Sequence, residues 1–438
     1  MVLNGNDIIE FEPITDTTRN IIKVVGVGGG GCNAVGNMYR EGMESVTFAV
    51  CNTDSKSLSI NPVPTKIMLG KEGLGAGANP DKGREEAEQS IEDIKRLFGD
   101  STQMVFVVAA MGGGTGTGAG PFVAKIAREM GLLTVGIVTL PFYFEKRPKI
   151  RKALGGLDEM RKNVDALLII NNEQISKVFS DSHIPVEEAL QRADIVMGNA
   201  VRSISELITV TGKIQTDFSD VKTTMRNGGG AVMAIGRASG EHRVRNAVLD
   251  ALNSPLLYGS DISKATRILF NIYTSKDHQL FVDELEEIDA FMDELSPDID
   301  VIWGMATDDT LDEDAKITIL ATGFDNSLPM ETKKADEEGT MEELIEQLYG
   351  RKRIRMEVPQ KEDPPFTVTV APDPEPAVAE EQTIVQENED TEEENNGNNN
   401  GNNNGGQEET VTDPAKGFLD RVRSRILQGL QTLTEPEE

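Results

Sequence analysis

Two glycine-rich segments are the parts of the sequence best suited to chemistry. The first, GVGGGGCN over residues 26–33, follows an apolar run at 21–25, and a helix is predicted to begin near Asn33. The second, MGGGTGTG over 111–118, follows an apolar run at 104–110 and precedes another predicted helix. Glycine lets a backbone approach an anion closely, and N–H groups at the start of a helix can face phosphate. Both segments are therefore candidate phosphate-binding loops.

The first loop alone leaves two interpretations open. It matches GxGxxG at Gly26, Gly28 and Gly31, which would favour a nicotinamide-dependent oxidoreductase, but a plain strand–helix turn can be equally rich in glycine. The second loop favours another class, because the five glycines and two threonines of residues 112–118 suit a triphosphate with its metal shell. Two such loops exceed what a dinucleotide site needs. The sequence also has no GxxxxGK[ST] pattern, so it is not an ordinary P-loop protein.

Three further features have a plain interpretation beside a functional one. The segment GLGAGANP over 73–80 could close over a terminal phosphate or be only a mobile surface loop. Asp217 and Asp220 are separated by two residues, and a pair of this kind is most often two solvated loop carboxylates. Cys32 and Cys51 have no motif spacing, so we predict packed thiols rather than a disulfide framework or a zinc site.

Apolar runs alternate with helix-like segments in the first half of the chain. The predicted strands are 21–25, 46–50, 104–110, 134–139 and 166–170, with predicted helices at 81–98 and 121–130. This alternation predicts an α/β fold with a mostly parallel sheet and helices on both faces.

One long helix at 185–209 is predicted to join the first half to a second α+β unit. The predicted strands of that unit are 231–236, 267–273, 300–306 and 316–322, and its helices are 241–252 and 277–295. Trp303 is expected in its core. The predicted organisation is an N-terminal extension at 1–20, a nucleotide-binding domain with the linking helix at 21–209, a second α+β domain at 210–328, a disordered acidic linker at 329–414 and an amphipathic peptide at 415–438.

The last hundred residues differ in composition from the rest. Between Glu362 and Asp413 there are 15 acidic residues and no Lys or Arg, a composition that predicts a disordered tether. The terminal segment then places Phe418, Val422, Ile426 and Leu430 on one helical stripe, typical of a docking peptide. The formal net charge of −31 argues against a nucleic acid partner. We expect no membrane span and no signal peptide, and a reducing cytoplasm fits the two cysteines.

Several segments together resemble one known family. GGGTGTG at 112–118 is similar to the signature of the tubulin/FtsZ GTPases, and the resemblance extends over about residues 20–325. The other segments that match in order and spacing are GVGGGGCNAV, CNTD, GLGAGANP, PFYFE and TDFSDVKTTM. The resemblance implies a Rossmann-like parallel-sheet GTPase domain, a long central helix, a second α+β domain and a disordered tail.

The resemblance also implies an activity. Such a chain would bind GTP or GDP in its first domain, stack head to tail into filaments and hydrolyse GTP at the contact between subunits. Asp217, Asp220 and Gln215 would enter the pocket of the next subunit and orient the attacking water. Mg²⁺ would be held mainly by the phosphates, without a direct protein ligand.

The implied nucleotide contacts fall into two groups. Those in the glycine segments are Gly28, Gly29, Gly30, Gly31, Asn33, Gly77, Ala78, Gly112, Gly113, Gly114, Thr115, Gly116, Thr117 and Gly118. The others are Glu145 and Lys149 near the ribose, Leu190 beside the base, and Asn172 and Asp194 on guanine. An Asp that accepts from the guanine ring N–H and amino group favours GTP over ATP.

Three of these positions depart from the family pattern. Gln215 replaces an Asn, Lys149 replaces an Arg and cannot form its bidentate fork, and Leu190 replaces an aromatic residue. These changes keep open a nucleotide-binding scaffold with little hydrolysis. The resemblance finally implies a cytoplasmic protein, recruited to the division site at the inner face of the membrane by division or anchor proteins that bind 415–438.

Overall fold

A computed structural model describes most of the predicted folded region. It describes residues 21–43, 45–178, 185–210, 212–214, 216–254, 262–293, 295–324, 345, 348 and 349. The predicted extension at 1–20, the peptide at 415–438, nearly all of the linker at 329–414 and Gln215 lie outside the described residues.

Strands and helices alternate along the chain. The strands are β1 Ile22–Val27, β2 Val46–Asn52, β3 Thr65–Met68, β4 Met104–Ala110, β5 Leu133–Leu140, β6 Ala166–Asn171, β7 Gly212–Ile214, β8 Gly229–Ala238, β9 Arg267–Thr274, β10 Asp300–Thr307 and β11 Ala315–Phe324. The helices are α1 Gly28–Arg40, α2 Ser55–Ile60, α3 Pro80–Gln89, α4 Ile91–Leu97, α5 Thr115–Glu129, α6 Arg147–Asn163, α7 Asn172–Val178, α8 Val186–Thr209, α9 Phe218–Met225, α10 Arg243–Leu252 and α11 Val282–Met292.

All the strands belong to one sheet, in the order β3-β2-β1-β4-β5-β6-β8-β11-β9-β10-β7. The first six are parallel, with β1 between β2 and β4 and β5 between β4 and β6. Every residue of β5 is buried, as are all but the last of β4, because helices cover both faces of the sheet. This confirms the predicted α/β fold, and the carboxyl ends of the parallel strands share one edge.

The second half of the chain continues this sheet. β8 pairs with β6 in parallel at Ala166, Leu167 and Leu168, and β11 then pairs antiparallel with both β8 and β9. Side chains from α1 and α8 share a core with Leu269 and Leu320 of the second half. The α+β unit is therefore joined to the first half through both backbone hydrogen bonds and apolar packing, and its exact boundaries remain a prediction.

Several predicted elements differ in extent from those observed. The predicted helix at 81–98 is two helices that meet at Ser90, whose hydroxyl accepts a hydrogen bond from Gly70 N at 2.9 Å. The helix predicted near Asn33 begins at Gly28, and the one predicted at 121–130 begins at Thr115. Both helices therefore begin inside the glycine segments.

Trp303 is not a core residue, contrary to the prediction. Its side chain is 43% exposed on β10. The cause is the short strand β7, which pairs with β10 only at Met305 and Ala306 and leaves the first part of β10 at the sheet edge. Cys32 and Cys51 are both free and buried. Within the described ranges, no helix is long and apolar enough to cross a membrane.

A short segment beyond the last strand also packs on the fold. Ile345, Leu348 and Tyr349 are helical, and Ile345 and Tyr349 are fully buried. These three residues belong to the predicted disordered linker at 329–414, so that prediction is wrong for them.

Candidate functional site

The predicted nucleotide contacts gather at the carboxyl edge of the parallel strands. α1 follows β1, α5 follows β4, a 3₁₀ turn at Tyr143–Glu145 follows β5, and α7 follows β6. Neighbouring parallel strands end at one edge, so the chain returns to this edge with each new loop. A crevice at such an edge is where open α/β sheets bind their ligands.

The first loop places the start of α1 against the start of α5. Gly28 has a φ of +74°, and a Cβ there would lie 2.5 Å from Gly116 N. A Cβ at Gly31 would lie 2.2 Å from Val108 O of β4. Glycine is therefore required for this close approach, while Gly29 is exposed at the helix start.

Both helix starts present backbone N–H groups to the same region. Val27 precedes α1 and Gly114 precedes α5, and neither residue has a side chain that can cap the helix. The first turn of each helix also contains no acidic residue. The positive ends of two helices therefore converge on this edge, an arrangement that suits a chain of phosphates.

Hydrogen bonds of two threonines fix the conformation of the second loop. Thr117 Oγ1 accepts from Gly112 N at 2.9 Å, and Thr115 Oγ1 lies 2.7 Å from Thr53 Oγ1, which follows β2. A Cβ at Gly118 would lie 1.9 Å from Pro80 O of α3. Thr117 and Gly118 thus support the loop, whereas Gly113, within the same loop, is partly exposed.

The third glycine segment packs against the second loop. Gly77 and Ala78 both have positive φ, at +60° and +57°, and both are exposed. Ala78 O accepts from Lys152 Nζ at 2.8 Å, and a Cβ at Gly114 would lie 2.8 Å from Ala76 Cβ. These contacts place 76–78 beside the phosphate loop rather than on a remote surface.

Basic side chains at the start of α6 border the same loop. Lys149 lies next to Gly112, where a Cβ would approach its Cγ to 2.9 Å, and its ammonium pairs with Glu145. Basic residues are unfavourable at a helix N-terminus unless an anion or carboxylate offsets them. Glu145 Oε1 also accepts from Phe142 N at 2.9 Å, so this carboxylate is fixed at the edge.

The two predicted guanine contacts have acceptor oxygens that can take further hydrogen bonds. Asn172 begins α7, is buried, and has an Oδ1 atom with no hydrogen-bond partner among the residues that the structure describes. Asp194 on α8 accepts from Asn37 Nδ2 at 3.0 Å, and burial raises its carboxyl pKa to about 6, against the effect of that hydrogen bond. A ligand that donates hydrogen bonds would satisfy both groups. Leu190 lies on α8, and its side chain is outside the described residues.

Sequence reasoning missed Asn37. It stands four residues after Asn33 on α1, so the two lie on one face of the helix. This four-residue spacing from Asn33 is the sequence feature that could have identified Asn37.

The two carboxylates of the acid pair cap the helix α9. Asp217 Oδ1 accepts from Asp220 N at 3.0 Å, and Asp220 Oδ2 accepts from Asp217 N at 2.9 Å. Asp217 is exposed and Asp220 is half-buried. This reciprocal bonding holds the two carboxylates in one geometry while their remaining oxygens stay available.

The acid pair lies on the amino side of the parallel strands, away from the glycine loops. Just after α9, Arg226 Nη1 donates to Leu132 O at 3.4 Å and Asn227 N donates to Asp165 Oδ1 at 3.4 Å. Leu132 and Asp165 directly precede β5 and β6. With eight residues, α9 is about 12 Å long, whereas the eight residues of β5 span about 26 Å. One chain therefore does not bring the acids to its own phosphate loops.

Comparison with known proteins supports a single family. A family profile described as "Tubulin/FtsZ family, GTPase domain" matches residues 21–180, and one described as "FtsZ family, C-terminal domain" matches 229–325. The chain is 49% identical over 324 residues to the cell division protein FtsZ of Porphyromonas gingivalis, covering 73% of this chain and 70% of that protein.

Solved structures agree with this assignment. An FtsZ dimer from M. jannaschii is 39% identical, with a TM-score of 0.64, over 70% of this chain and 89% of that one. CetZ2 from Haloferax volcanii, at 21% identity and a TM-score of 0.61, covers 75% of this chain and 98% of its own, and shows a shared fold.

These matches exclude the nicotinamide oxidoreductase and favour hydrolysis over a scaffold that barely turns over GTP. The two glycine loops that suggested a triphosphate lie within the matched GTPase domain. The chain therefore belongs to the tubulin/FtsZ family, and it is a GTP-binding GTPase of the cell-division cytoskeleton.

Proposed function

We propose that this GTPase assembles head to tail and hydrolyses GTP in a site shared by two subunits. The observation that supports the proposal is that the acid pair and the glycine loops lie at opposite ends of the parallel strands. A head-to-tail contact is heterologous, so it can place the acid pair of one subunit over the phosphate loops of the next. Neither surface is a complete active site alone.

GTP binds at the carboxyl edge of the sheet. The starts of α1 and α5 hold the phosphates through backbone N–H groups, and Lys149 and Lys152 add positive charge beside them. Glu145 contacts the ribose. Asn172 Oδ1 and the Asp194 carboxylate accept hydrogen bonds from guanine, which satisfies the buried Oδ1 of Asn172.

Hydrolysis requires a water aimed at the γ-phosphate. Asp217 and Asp220 of the incoming subunit orient and polarise that water, and their reciprocal bonding to the start of α9 fixes them for this task. Positioning of this kind supplies most of the catalysis in phosphoryl transfer. Gln215, which precedes the pair by two residues, is proposed to assist through its side-chain amide.

Mg²⁺ suits this edge as an ion held mainly by phosphate oxygens. The hydroxyls of Thr53 and Thr115 lie 2.7 Å apart beside the phosphate loop, and oxygen donors are those Mg²⁺ prefers. When bound, the ion would offset the charge on the β- and γ-phosphates.

In the cell, we propose a cytoplasmic filament recruited to the division site at the inner face of the membrane. The peptide at 415–438 would bind division or membrane-anchor proteins. The proposal rests on the apolar stripe of that peptide and on the division role of the P. gingivalis relative.

Phosphate release against protein concentration tests the shared site. We expect release to rise more steeply than linearly near an assembly threshold, which light scattering locates independently. Asp217→Ala should bind GTP as tightly as the wild type below that threshold, yet lose most turnover. A linear rate together with wild-type turnover in Asp217→Ala would overturn the proposal.

A further inference from the structure

A segment beyond the second matched domain packs beside the nucleotide edge. We call Ile345, Leu348 and Tyr349 the C-terminal strap. Tyr349 is 0% exposed and Ile345 is 1% exposed, and both belong to the core cluster that includes α5 and α6. Neither family profile extends to these residues, since the second one ends at residue 325. The first half of the chain therefore completes its core with residues that follow the second half.

Tyr349 contacts the turn that carries the proposed ribose contact. Its hydroxyl donates to Pro141 O at 2.8 Å, and its ring lies 5.7 Å from the ring of Tyr143. Burial raises the pKa of the Tyr349 hydroxyl, so it remains a neutral donor. Pro141 and Tyr143 flank Phe142, whose N–H donates to Glu145. The hydroxyl thus holds the backbone from which the Glu145 carboxylate is positioned.

Leu348 anchors the strap to the neighbouring strand end. Its carbonyl oxygen accepts from Asn171 Nδ2 at 3.0 Å and from Gln174 Nε2 at 3.1 Å. The two elements that the strap contacts are also bonded to each other, because Tyr143 N donates to Glu173 at 3.1 Å. The strap therefore closes a ring of hydrogen bonds between the ends of β5 and β6.

We propose that Tyr349 is a positioning residue for the ribose contact of Glu145. It acts through Pro141 and the turn, and it does not itself touch the nucleotide. The proposal rests on the proposed placement of GTP at this edge. It makes the affinity for the ribose depend on a residue 25 positions beyond the end of β11 at Phe324.

The test compares GTP with 2′,3′-dideoxy-GTP, which lacks both ribose hydroxyls, using the full-length chain below its assembly threshold. Tyr349→Phe keeps the ring and removes only the hydroxyl that donates to Pro141. It should weaken GTP between about two- and tenfold, the range for one net hydrogen bond, and weaken the dideoxy analogue less. The affinity ratio of GTP to dideoxy-GTP therefore shrinks. The matched control is Tyr273→Phe, a buried tyrosine of β9, which should leave both affinities and their ratio unchanged.

Comparison of Tyr349→Phe with Asp194→Ala separates failure of the strap proposal from failure of the nucleotide site. An unchanged GTP affinity in Tyr349→Phe, while Asp194→Ala weakens GTP, would overturn the strap proposal and leave the nucleotide site standing. Equal weakening of both nucleotides in Tyr349→Phe would show a merely structural role and would also overturn it. If Asp194→Ala leaves GTP affinity unchanged, the placement of the nucleotide is wrong and the strap proposal falls with it.

Discussion

Asp194 should have opposite effects on stability and on GTP binding. Its carboxyl is partly buried, accepts one hydrogen bond from Asn37, and has a pKa raised to about 6 by burial. A raised pKa in the folded state means that the ionised form is disfavoured there. Asp194 should therefore destabilise the nucleotide-free protein less as pH falls from about 7 towards 4, a range that spans its folded and unfolded pKa values.

The magnitude follows from that shift. About two pKa units would correspond to about 3 kcal/mol, and partial exposure to solvent reduces this to about 1–2 kcal/mol at pH 7. Asp194→Asn removes the charge and keeps an acceptor for Asn37. We expect the nucleotide-free variant to gain about 1–2 kcal/mol in free energy of unfolding at pH 7 and nothing at pH 4.

Binding should change in the other direction. Asp194→Asn presents an amide where guanine donates, so GTP should bind about 1–3 kcal/mol more weakly at pH 7. With a pKa of about 6, the wild-type carboxylate is about nine-tenths ionised at pH 7 but only about one-tenth ionised at pH 5, so most of its advantage over the variant should be lost at pH 5. The phosphates titrate in both proteins, and the comparison removes their contribution.

Urea denaturation without nucleotide and titration with GTP supply the two measurements. Asp194→Leu is not a suitable control because it also loses the bond to Asn37. If Asp194→Asn is less stable than the wild type at pH 7, the burial argument is wrong. If it binds GTP as tightly as the wild type, the guanine contact is wrong.

Three other predictions follow from the site and the tail. With a limited supply of GTP, Asp220→Ala filaments should outlast wild-type filaments, because the GTP at their subunit contacts is not hydrolysed. Light scattering over time measures both lifetimes, and equal lifetimes would contradict this role of Asp220. Gly28→Ala should lower GTP affinity at least about tenfold, because the Cβ would lie 2.5 Å from Gly116 N, whereas Gly155→Ala on α6, whose Cβ has no atom within 4 Å in the described structure, should bind nearly normally; similar affinities in the two variants would contradict the close packing of α1 on α5. Removing residues 415–438 should leave GTP hydrolysis intact and abolish recruitment to the division site, and unchanged localisation in cells would contradict this role.

The buried half of the fold was predictable because its strands are continuously apolar. β4 was predicted with its observed bounds, since MVFVVAA is buried on both faces. β3 and β7 were missed because TKIM lies at a sheet edge with mostly exposed side chains and GKI is too short to show a pattern. Burial on two faces leaves a strong signal in the sequence, and an edge position leaves almost none.

The site was predictable where it depends on backbone freedom, and less so where it depends on distant packing. Gly28 and Gly112 stand out because glycine clusters are rare, and both have positive φ. Asn37 and Tyr349 became evident only in the structure, although Ile345, Leu348 and Tyr349 have the i, i+3, i+4 spacing of a buried helix face. The acidic composition that follows them obscured this short signal.

Mixing two inactive variants tests the shared active site most directly. Asp217→Ala has an intact pocket and a defective acid loop, whereas Thr115→Ala has an intact acid loop and a defective pocket. In mixed filaments, one of the four possible head-to-tail contacts joins an intact pocket to an intact acid loop, so an equal mixture should recover about a quarter of the wild-type phosphate release. Co-sedimentation with GTP confirms that both variants enter the same filaments. Phosphate release that stays at the sum of the two separate variants, despite co-sedimentation, would contradict hydrolysis between subunits.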